Sequence, residues 1–204
     1  PLRGFFYKHN FRRAVKLCNP DVIHCHDFDK MYPLREAITD LSIPIILTCH
    51  GVFWNDDEKV HEAIKYNIKL ANHVTGLTKE TYIAIQQLEI EESNITIIPN
   101  GVDSKKFFYS DEARREIRDQ FFVDDDTIVF ITVASVQPRK GQMAFLRILN
   151  GLDIKYQYWI VGKGPDCTLI EMFSKENKIE NRVKLLGYKT ATELFKYYSA
   201  SDIY

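Results

Sequence analysis

Cysteine is scarce in this 204-residue sequence, and the four cysteines present lie far apart. Cys18, Cys25, Cys49 and Cys167 form no C-x-x-C pair. Structural zinc sites and disulfide-rich secreted domains need cysteines at short, repeated spacings. The sequence therefore argues against both classes and fits reduced thiols, so we expect a cytoplasmic protein.

An excess of charge of one sign is also missing, as are long apolar runs. Lys and Arg number 27 and Asp and Glu 28, which gives a formal net charge of −1. General nucleic-acid-binding proteins carry a basic excess, so we predict no nucleic-acid partner. The longest apolar run, "IVFITVASV", has about half of the roughly 20 residues needed to cross a bilayer. Peripheral membrane contact of a longer protein stays open as an alternative.

What the sequence does contain is a regular alternation of short β-branched runs with amphipathic helical patterns. We predict strands at 21–25, 44–49, 73–77, 94–99, 127–135, 156–162, 182–187 and 202–204. We predict helices at 11–18, 57–71, 79–89, 143–151, 166–178 and 191–200, and a charged helical stretch within 104–126. Strict β–α alternation is typical of α/β folds, in which crossover helices flank a parallel sheet.

Helix caps support this assignment, and a break in the pattern divides the chain. Thr190 and Glu193 have the spacing of a capping box, and Ser110 precedes two acidic residues of a first turn. The alternation stops after "IIPNGVD" and restarts at Thr127. We therefore predict two Rossmann-like halves, domains 1–101 and 102–204, joined by a hinge at 99–110.

Polar motifs follow the predicted strands, at the end of parallel sheets where ligands bind. The first is "DVIHCHDF", in which strand alternation places His24 and His26 on one face and Cys25 on the other. An H-x-H pair is also found in zinc hydrolases, so a zinc site using His24, His26 and Asp27 is one alternative. No histidine follows His73, which leaves few further ligands and favours a site without metal.

Two later motifs are suited to phosphate. In "SVQPRKGQ", Arg139 and Lys140 precede a predicted helix, whose N-terminal N–H groups attract anions; an exposed, solvated turn is the alternative. In "IVGKGPD", Gly162 and Gly164 form a glycine turn that lets a nucleotide approach the backbone. Position 167 is Cys, so the turn departs from the dinucleotide fingerprint G-x-G-x-x-G.

Read in order, six segments resemble the family 4 retaining glycosyltransferases, enzymes with the two-domain GT-B fold. These segments are "PDVIHCHDF", "IPIILTCHGV", "ITIIPNGVDSKKF", "VASVQPRKG", "YWIVGKGPD" and "RVKLLGYKTATELFKYYSASDIY", and they lie within residues 20–204. The resemblance implies an acceptor-side domain at 1–101 and a donor domain at 102–204. It also implies transfer of a hexosyl group from a nucleoside-diphosphate sugar to a glycan or lipid-linked acceptor with retention.

The resemblance also assigns residues. On the acceptor side it implies His24, His26, Asn100 and Gly101, with His50 as the catalytic histidine beside the transferred sugar. For the donor it implies Lys140 at the diphosphate, Gly162 and Gly164 at the nucleotide, and Tyr188 at the base. No metal and no resident cofactor are implied, because the nucleotide sugar is a substrate.

This sequence departs from the family pattern in two respects. The family usually has Gly-Arg where this chain has Ala134-Ser135, and Arg139 is the candidate substitute for that charge. The family's paired glutamates and its N-terminal glycine loop are not found in the chain. We therefore expect a piece of a longer enzyme, with both sheets incomplete, inactive alone and prone to self-association through sheet edges. A non-catalytic nucleotide-sugar-binding module remains the other alternative.

Overall fold

The computed structural model describes residues 2–27, 35–39, 41–51 and 64–204. The chain divides into two compact units, Pro1–Gly101 and Val102–Tyr204. Each unit is built on its own parallel sheet, as the strict β–α alternation of the sequence predicts. Among the described residues, no helix is long and apolar enough to cross a membrane.

The first unit contains a four-stranded sheet with the order β1-β2-β3-β4. Its strands are β1 Ile23–His26, β2 Ile45–Cys49, β3 His73–Gly76 and β4 Ile95–Ile97. Its helices are α1 Leu2–Cys18, α2 Arg35–Ile38 and α3 Lys79–Gln86, with a 3₁₀ turn at Glu92–Asn94 and further helical residues at 64–68.

The core of the first unit lies between its sheet and its helices. Leu47, Ile68, Val74, Ile85 and Leu88 are completely buried there. Because side chains alternate along a strand, β1 buries Cys25 in this core and leaves both of its histidines exposed. The alternating sequence His24-Cys25-His26 thus places one residue in the core and two imidazoles at the surface.

The second unit contains a three-stranded parallel sheet with the order β5-β6-β7. Its strands are β5 Ile128–Val133, β6 Tyr156–Val161 and β7 Val183–Gly187. Its helices are α4 Asp111–Gln120, α5 Gln142–Asn150, α6 Cys167–Glu176 and α7 Ala191–Ala200, and a 3₁₀ turn at Pro138–Lys140 precedes α5. All six residues of the central strand β6 are buried, because helices cover both faces of the sheet.

Most predicted elements are confirmed, with differences at their ends. Seven of the eight predicted strands form; the eighth, 202–204, contributes only a single parallel bridge between Ile203 and Phe130 of β5. The predicted helix 11–18 is the end of the longer α1, and residues 57–63 of the predicted helix 57–71 lie outside the described residues. Both predicted caps form: the N–H of Thr190 donates to Glu193 at 2.9 Å, and Ser110 Oγ accepts from the N–H of Ala113 at 3.1 Å.

A buried arginine joins α4 to the segment that follows α7. The Arg118 side chain is 8% exposed and donates to the carbonyl oxygens of Ala200, Asp124 and Thr127 and to Asp202. Burial raises the pKa of Asp202, but hydrogen bonds from the Val129 N–H and the Arg114 guanidinium outweigh it and hold that pKa below its usual value. The charge of Asp202 is therefore part of what holds the second unit together.

Candidate functional site

Three histidines meet at the carboxyl ends of β1 and β2. His24 and His26 lie on the same face of β1, as predicted, with ring centroids 4.4 Å apart. His50 directly follows β2, and its Nε2 lies 2.7 Å from Nδ1 of His26. The parallel register, which pairs His26 with Thr48, brings these two side chains together across 24 residues of sequence.

Hydrogen bonds below the histidines fix their positions. Nε2 of His24 lies 2.7 Å from Oγ1 of Thr48, which in turn lies 2.6 Å from Oγ1 of Thr75. Asp27 has a positive φ of 64°, donates its N–H to the carbonyl of Thr48 and accepts the N–H of His50 at 3.0 Å. The buried threonines therefore provide a rigid base for exposed imidazoles.

The two cysteines nearest the histidines, Cys25 and Cys49, are buried and therefore unreactive. Cys49, the last residue of β2, is completely buried, and Cys25 is buried on β1. Burial, with a smaller contribution from the charge of Asp27, raises the pKa of Cys49 to about 12. Both cysteines are therefore core residues, in agreement with the reduced thiols expected from the sequence.

The spacing of the imidazoles is that of a hydrogen bond. Two nitrogens bound to one tetrahedral zinc would lie about 3.4 Å apart, given Zn–N bonds of roughly 2.1 Å. The 2.7 Å between His26 and His50 is shorter than that. Within the described residues, no group of three or more His, Cys, Asp or Glu is placed to hold a metal ion. The geometry of His26 and His50 is therefore that of two hydrogen-bonded imidazoles. This distance does not test the zinc alternative at His24, His26 and Asp27, and the site without metal stays a prediction.

The second unit has a cleft of about 730 Å³ where its three strands end. Residues following each strand line it: Ala134 and Ser135 after β5, Gly162 and Lys163 after β6, Tyr188 and Lys189 after β7. No carboxylate is among the described lining residues, whereas two of them are lysines. The cleft is therefore suited to an anion, with the exposed ring of Tyr188 beside it.

Lys189 lies over the ring of Tyr197, with Nζ 5.2 Å from the ring centroid, a cation–π contact that helps to position it. The nearby carboxylate of Glu193 accepts hydrogen bonds from the N–H and the hydroxyl of Thr190. Hydrogen bonds from Thr190, and to a smaller extent the charge of Lys189, lower the pKa of Glu193. Lys163, the other lysine that lines the cleft, is exposed.

Gly162 and Gly164 serve a structural purpose in this cleft. A Cβ on Gly162 would lie 1.9 Å from the carbonyl oxygen of Ala134, and one on Gly164 would lie 2.0 Å from that of Val136. The loop after β6 therefore packs directly on the loop after β5, and hydrogen bonds continue between the loops, from Ala134 N–H to Val161 and from Val136 N–H to Lys163. The predicted role of both glycines at a nucleotide remains a prediction.

Comparison with known proteins identifies the family. The model of Glycosyltransferase Family 4 matches residues 1–106, and that of Glycosyl transferases group 1 matches residues 113–204. The chain belongs to glycosyltransferase family 4. Its two parallel sheets with flanking helices are those of the GT-B fold, as the resemblance implied.

Two curated proteins and one solved structure illustrate what this chain is similar to. N-acetyl-alpha-D-glucosaminyl L-malate synthase of Bacillus anthracis is 23% identical over 83% of this chain and 46% of its own length. The Escherichia coli UDP-Gal:alpha-D-GlcNAc-diphosphoundecaprenol alpha-1,3-galactosyltransferase is 23% identical over 90% of this chain and 51% of its own. Anabaena HepE in complex with UDP superimposes with a TM-score of 0.77 at 17% identity, over 96% of this chain and 54% of its own. The chain thus spans about half the length of the relatives it matches.

The family motif "PNG" lies away from the histidines. Asn100 and Gly101 follow β4, at the edge of the sheet opposite β1, and both are exposed. With parallel strands about 4.8 Å apart, β4 lies roughly 10 Å from β2, where His50 is held. No atom lies within 4 Å of a Cβ built on Gly101, so a larger residue would fit at this position without a steric clash. The acceptor-side assignment of both residues remains a prediction.

Neither Lys140, which the resemblance places at the diphosphate, nor Arg139, the candidate substitute for the family's arginine, is among the described residues that line the cleft of Lys163 and Lys189. Lys140 ends the 3₁₀ turn before α5 and lines a separate cavity of about 300 Å³ with Thr132 and Tyr158. Arg139 is exposed on the same turn, and Ser135 Oγ accepts a hydrogen bond from Gln137 at 2.7 Å. Arg139 as a substitute for the family's arginine remains a prediction.

Lys163 and Lys189 are not among the site residues predicted from the sequence, although both lie within the motifs that predict the site. Each stands next to a residue that was chosen, Gly162 in "GKGP" and Tyr188 in "GYKT". The signal that could have found them is a cation immediately beyond a strand's carboxyl end, where ligands of parallel sheets bind. The sequence does not show which of these cations share a cavity.

Proposed function

We propose that this chain is part of a nucleotide-sugar-dependent glycosyltransferase that moves a hexosyl group from a nucleoside diphosphate to a glycan or lipid-linked acceptor. Residues 102–204 form the donor side and residues 1–101 the acceptor side. The observation that carries the proposal is the cleft at the carboxyl ends of β5, β6 and β7, which has two lysines and no carboxylate among its described lining residues. UDP is the proposed nucleotide, because HepE was solved in complex with it.

The proposed chemistry requires cations at the leaving group. As the bond between the sugar C1 and the β-phosphate oxygen breaks, negative charge builds up on that phosphate, and fixed positive charge lowers the barrier. Lys163 and Lys189 would bind the diphosphate in the cleft. Lys140 stands at the N-terminus of α5, where backbone N–H groups add a partial positive charge. Lysines and helix N-termini supply the positive charge in this proposal, and the nucleotide sugar is a substrate.

His50 is the proposed catalytic residue at the reacting sugar. Its imidazole is exposed beyond β2 and fixed through both its backbone N–H and its Nε2. In the retaining reaction we propose, the acceptor hydroxyl attacks C1 from the face that the phosphate leaves. Its oxygen forms the new bond to C1, and its proton passes to the departing phosphate oxygen. A ring nitrogen of His50 would hydrogen-bond an oxygen of the sugar during this step.

The acceptor class rests on relatives, one of which is named for a diphosphoundecaprenol-linked acceptor. An acceptor of that kind is held in a membrane, so peripheral membrane contact of the longer protein is part of the proposal. A cytoplasmic location fits a nucleotide-sugar donor and is proposed with it. His24, His26, Asn100 and Gly101 are proposed to line the acceptor side.

Isothermal calorimetry with UDP tests the donor site on this chain. Removing one cation from a charge-assisted hydrogen bond costs about 1.5–3 kcal/mol, which corresponds to a roughly 10- to 150-fold weaker Kd. We expect Lys163→Ala and Lys189→Ala to weaken UDP binding by that factor. Lys155→Ala is the matched control, because Lys155 precedes β6 at the other end of the sheet and pairs with Asp124 and Asp126.

Two results would contradict the proposal. The first is no heat of binding with UDP at millimolar concentration, while the chain remains folded by circular dichroism. The second is that Lys155→Ala weakens UDP binding as much as Lys163→Ala does, which would mean that UDP affinity depends only on the overall charge of the chain. Binding that inorganic phosphate reproduces at the same affinity would reduce the site to a phosphate site without a nucleotide preference.

A further inference from the structure

The hydrogen bond between His26 and His50 determines which ring nitrogen of His50 is available to a substrate. The distance of 2.7 Å between Nδ1 of His26 and Nε2 of His50 is that of a strong hydrogen bond. One of these nitrogens must carry a hydrogen and the other must be a free acceptor. Only one proton can therefore lie between the two rings. Among the described residues, the remaining nitrogen of His50, Nδ1, has no hydrogen-bond partner.

We propose that His26 is the positioning residue of His50: it holds Nε2 of His50, so that Nδ1 is the ring nitrogen presented to the substrate. The inference rests on the proposed function, in which His50 contacts the transferred sugar. It deepens that function by stating which atom makes the contact and which residue selects it.

Proton counting gives the chemical character of Nδ1. In the neutral pair, Nδ1 of His50 carries a hydrogen if His26 donates and is an acceptor if His50 donates. When the pair takes up one proton, both arrangements leave a hydrogen on Nδ1 of His50. A second proton would place two N–H groups against each other and break the bond. The pair therefore holds one positive charge at most, and in that state His50 is a donor to a sugar or phosphate oxygen.

The surroundings keep His26 in place for this purpose. Its ring lies between those of His24, with centroids 4.4 Å apart, and His50, with centroids 5.0 Å apart. Thr48, which is buried, holds His24 through a 2.7 Å hydrogen bond. Among the described residues, the titratable groups beside the pair are His24, whose ring is tilted by 34° against that of His26, and Asp27, which accepts the backbone N–H of His50.

Nitrogen NMR of the histidine-labelled chain tests the inference directly. Long-range proton–nitrogen spectra distinguish protonated from unprotonated ring nitrogens, and scalar coupling across an N–H···N bond identifies the two partners. We expect coupling between Nδ1 of His26 and Nε2 of His50. Absence of this coupling in the folded chain would overturn the proposal.

Variants of matched shape separate positioning from simple packing. In His26→Asn the amide atoms lie near the position of Nδ1, whereas in His26→Gln they lie near that of Nε2. We expect His26→Asn to keep Nε2 of His50 hydrogen-bonded and His26→Gln to release it, so that both nitrogens of His50 exchange freely between tautomers. His24→Gln is the control, because it removes a neighbouring ring and leaves the coupling in place. An unchanged His50 spectrum in His26→Gln would overturn the proposal, and if that variant fails to fold, loss of the His50 bond in His26→Asn would do the same.

The proposed function and this inference fail separately. UDP calorimetry depends on the cleft of residues 102–204, whereas the NMR signals report on β1 and β2. A coupled His26–His50 pair in a chain that does not bind UDP would overturn the function and leave the pairing. UDP binding by a chain with no coupled pair would do the reverse.

Discussion

Gly162 provides the sharpest test of how the second unit is assembled. Its φ is +142°, a conformation that side-chain-bearing residues rarely adopt, and a Cβ there would lie 1.9 Å from the carbonyl oxygen of Ala134. That contact is with backbone, so Gly162→Ala must move one of the two loops. The hydrogen bonds at risk are Ala134 N–H to Val161 at 3.0 Å and Gly162 N–H to Gly187 at 2.8 Å.

The expected loss of stability in Gly162→Ala has two parts, the cost of the backbone conformation and the cost of the lost hydrogen bonds. An unfavourable positive φ costs a residue other than glycine about 1–2 kcal/mol, and each hydrogen bond lost contributes about 0.5–1.5 kcal/mol. We therefore expect Gly162→Ala to lower the free energy of unfolding of the second unit by about 2–5 kcal/mol. Gly141→Ala, at φ +74° with nothing within 4 Å of the new Cβ, keeps only the conformational cost, about 1–2 kcal/mol. Gly101→Ala has neither cost, and we expect a change of less than about 0.5 kcal/mol.

Urea unfolding followed by tryptophan fluorescence measures this series. Trp159 is completely buried in β6 of the second unit and reports on its unfolding. The other tryptophan, Trp54, lies outside the described residues and is replaced by Phe in every variant. With an m-value of about 1 kcal/mol per molar urea for a unit of this size, Gly162→Ala should lower the midpoint by about 2 M or more. A midpoint within about 0.5 M of that of Gly101→Ala would refute the reasoning.

Three further predictions follow from other contacts. In urea titrations at pH 7, Asp202→Asn should lower the free energy of unfolding by about 1–3 kcal/mol, whereas Lys196→Ala, which removes an exposed ion pair, should lower it by less than about 1 kcal/mol. Because folding lowers the pKa of Asp202, its contribution is present above its unfolded pKa, about 3.9, and is lost as the pH falls through the folded value. Equal stability of wild type and Asp202→Asn at pH 7 would contradict this prediction. Ellman's reagent should label the exposed Cys18 at once and the buried Cys49, with its pKa of about 12, only on unfolding; rapid labelling of Cys49 in the folded chain would be inconsistent with its burial. Static light scattering should show association of the chain at high concentration through its sheet edges, and a single monomeric mass there would count against it.

The sequence by itself determined the elements and their order. Runs such as "PIILTC" and "YQYWIVG" are recognisable as strands, because the residues that decide them are neighbours in the chain. The same local rule placed His24 and His26 on one face, which the structure confirms. It failed at 202–204, since that segment joins the sheet only through Ile203 bridging to Phe130, 73 residues earlier in the chain.

Only the tertiary structure decided which distant residues meet. The register of β1 on β2 brings His26 to His50, and the register of β5 on β6, which aligns Val133 with Val161, sets Gly162 against Ala134. No local pattern encodes such alignments, because strand register depends on how two whole faces pack. For the same reason the sequence does not show that Lys163 and Lys189 line one cleft. Periodicity tells which face of an element a side chain occupies, and the packing of elements far apart in sequence decides what that face meets.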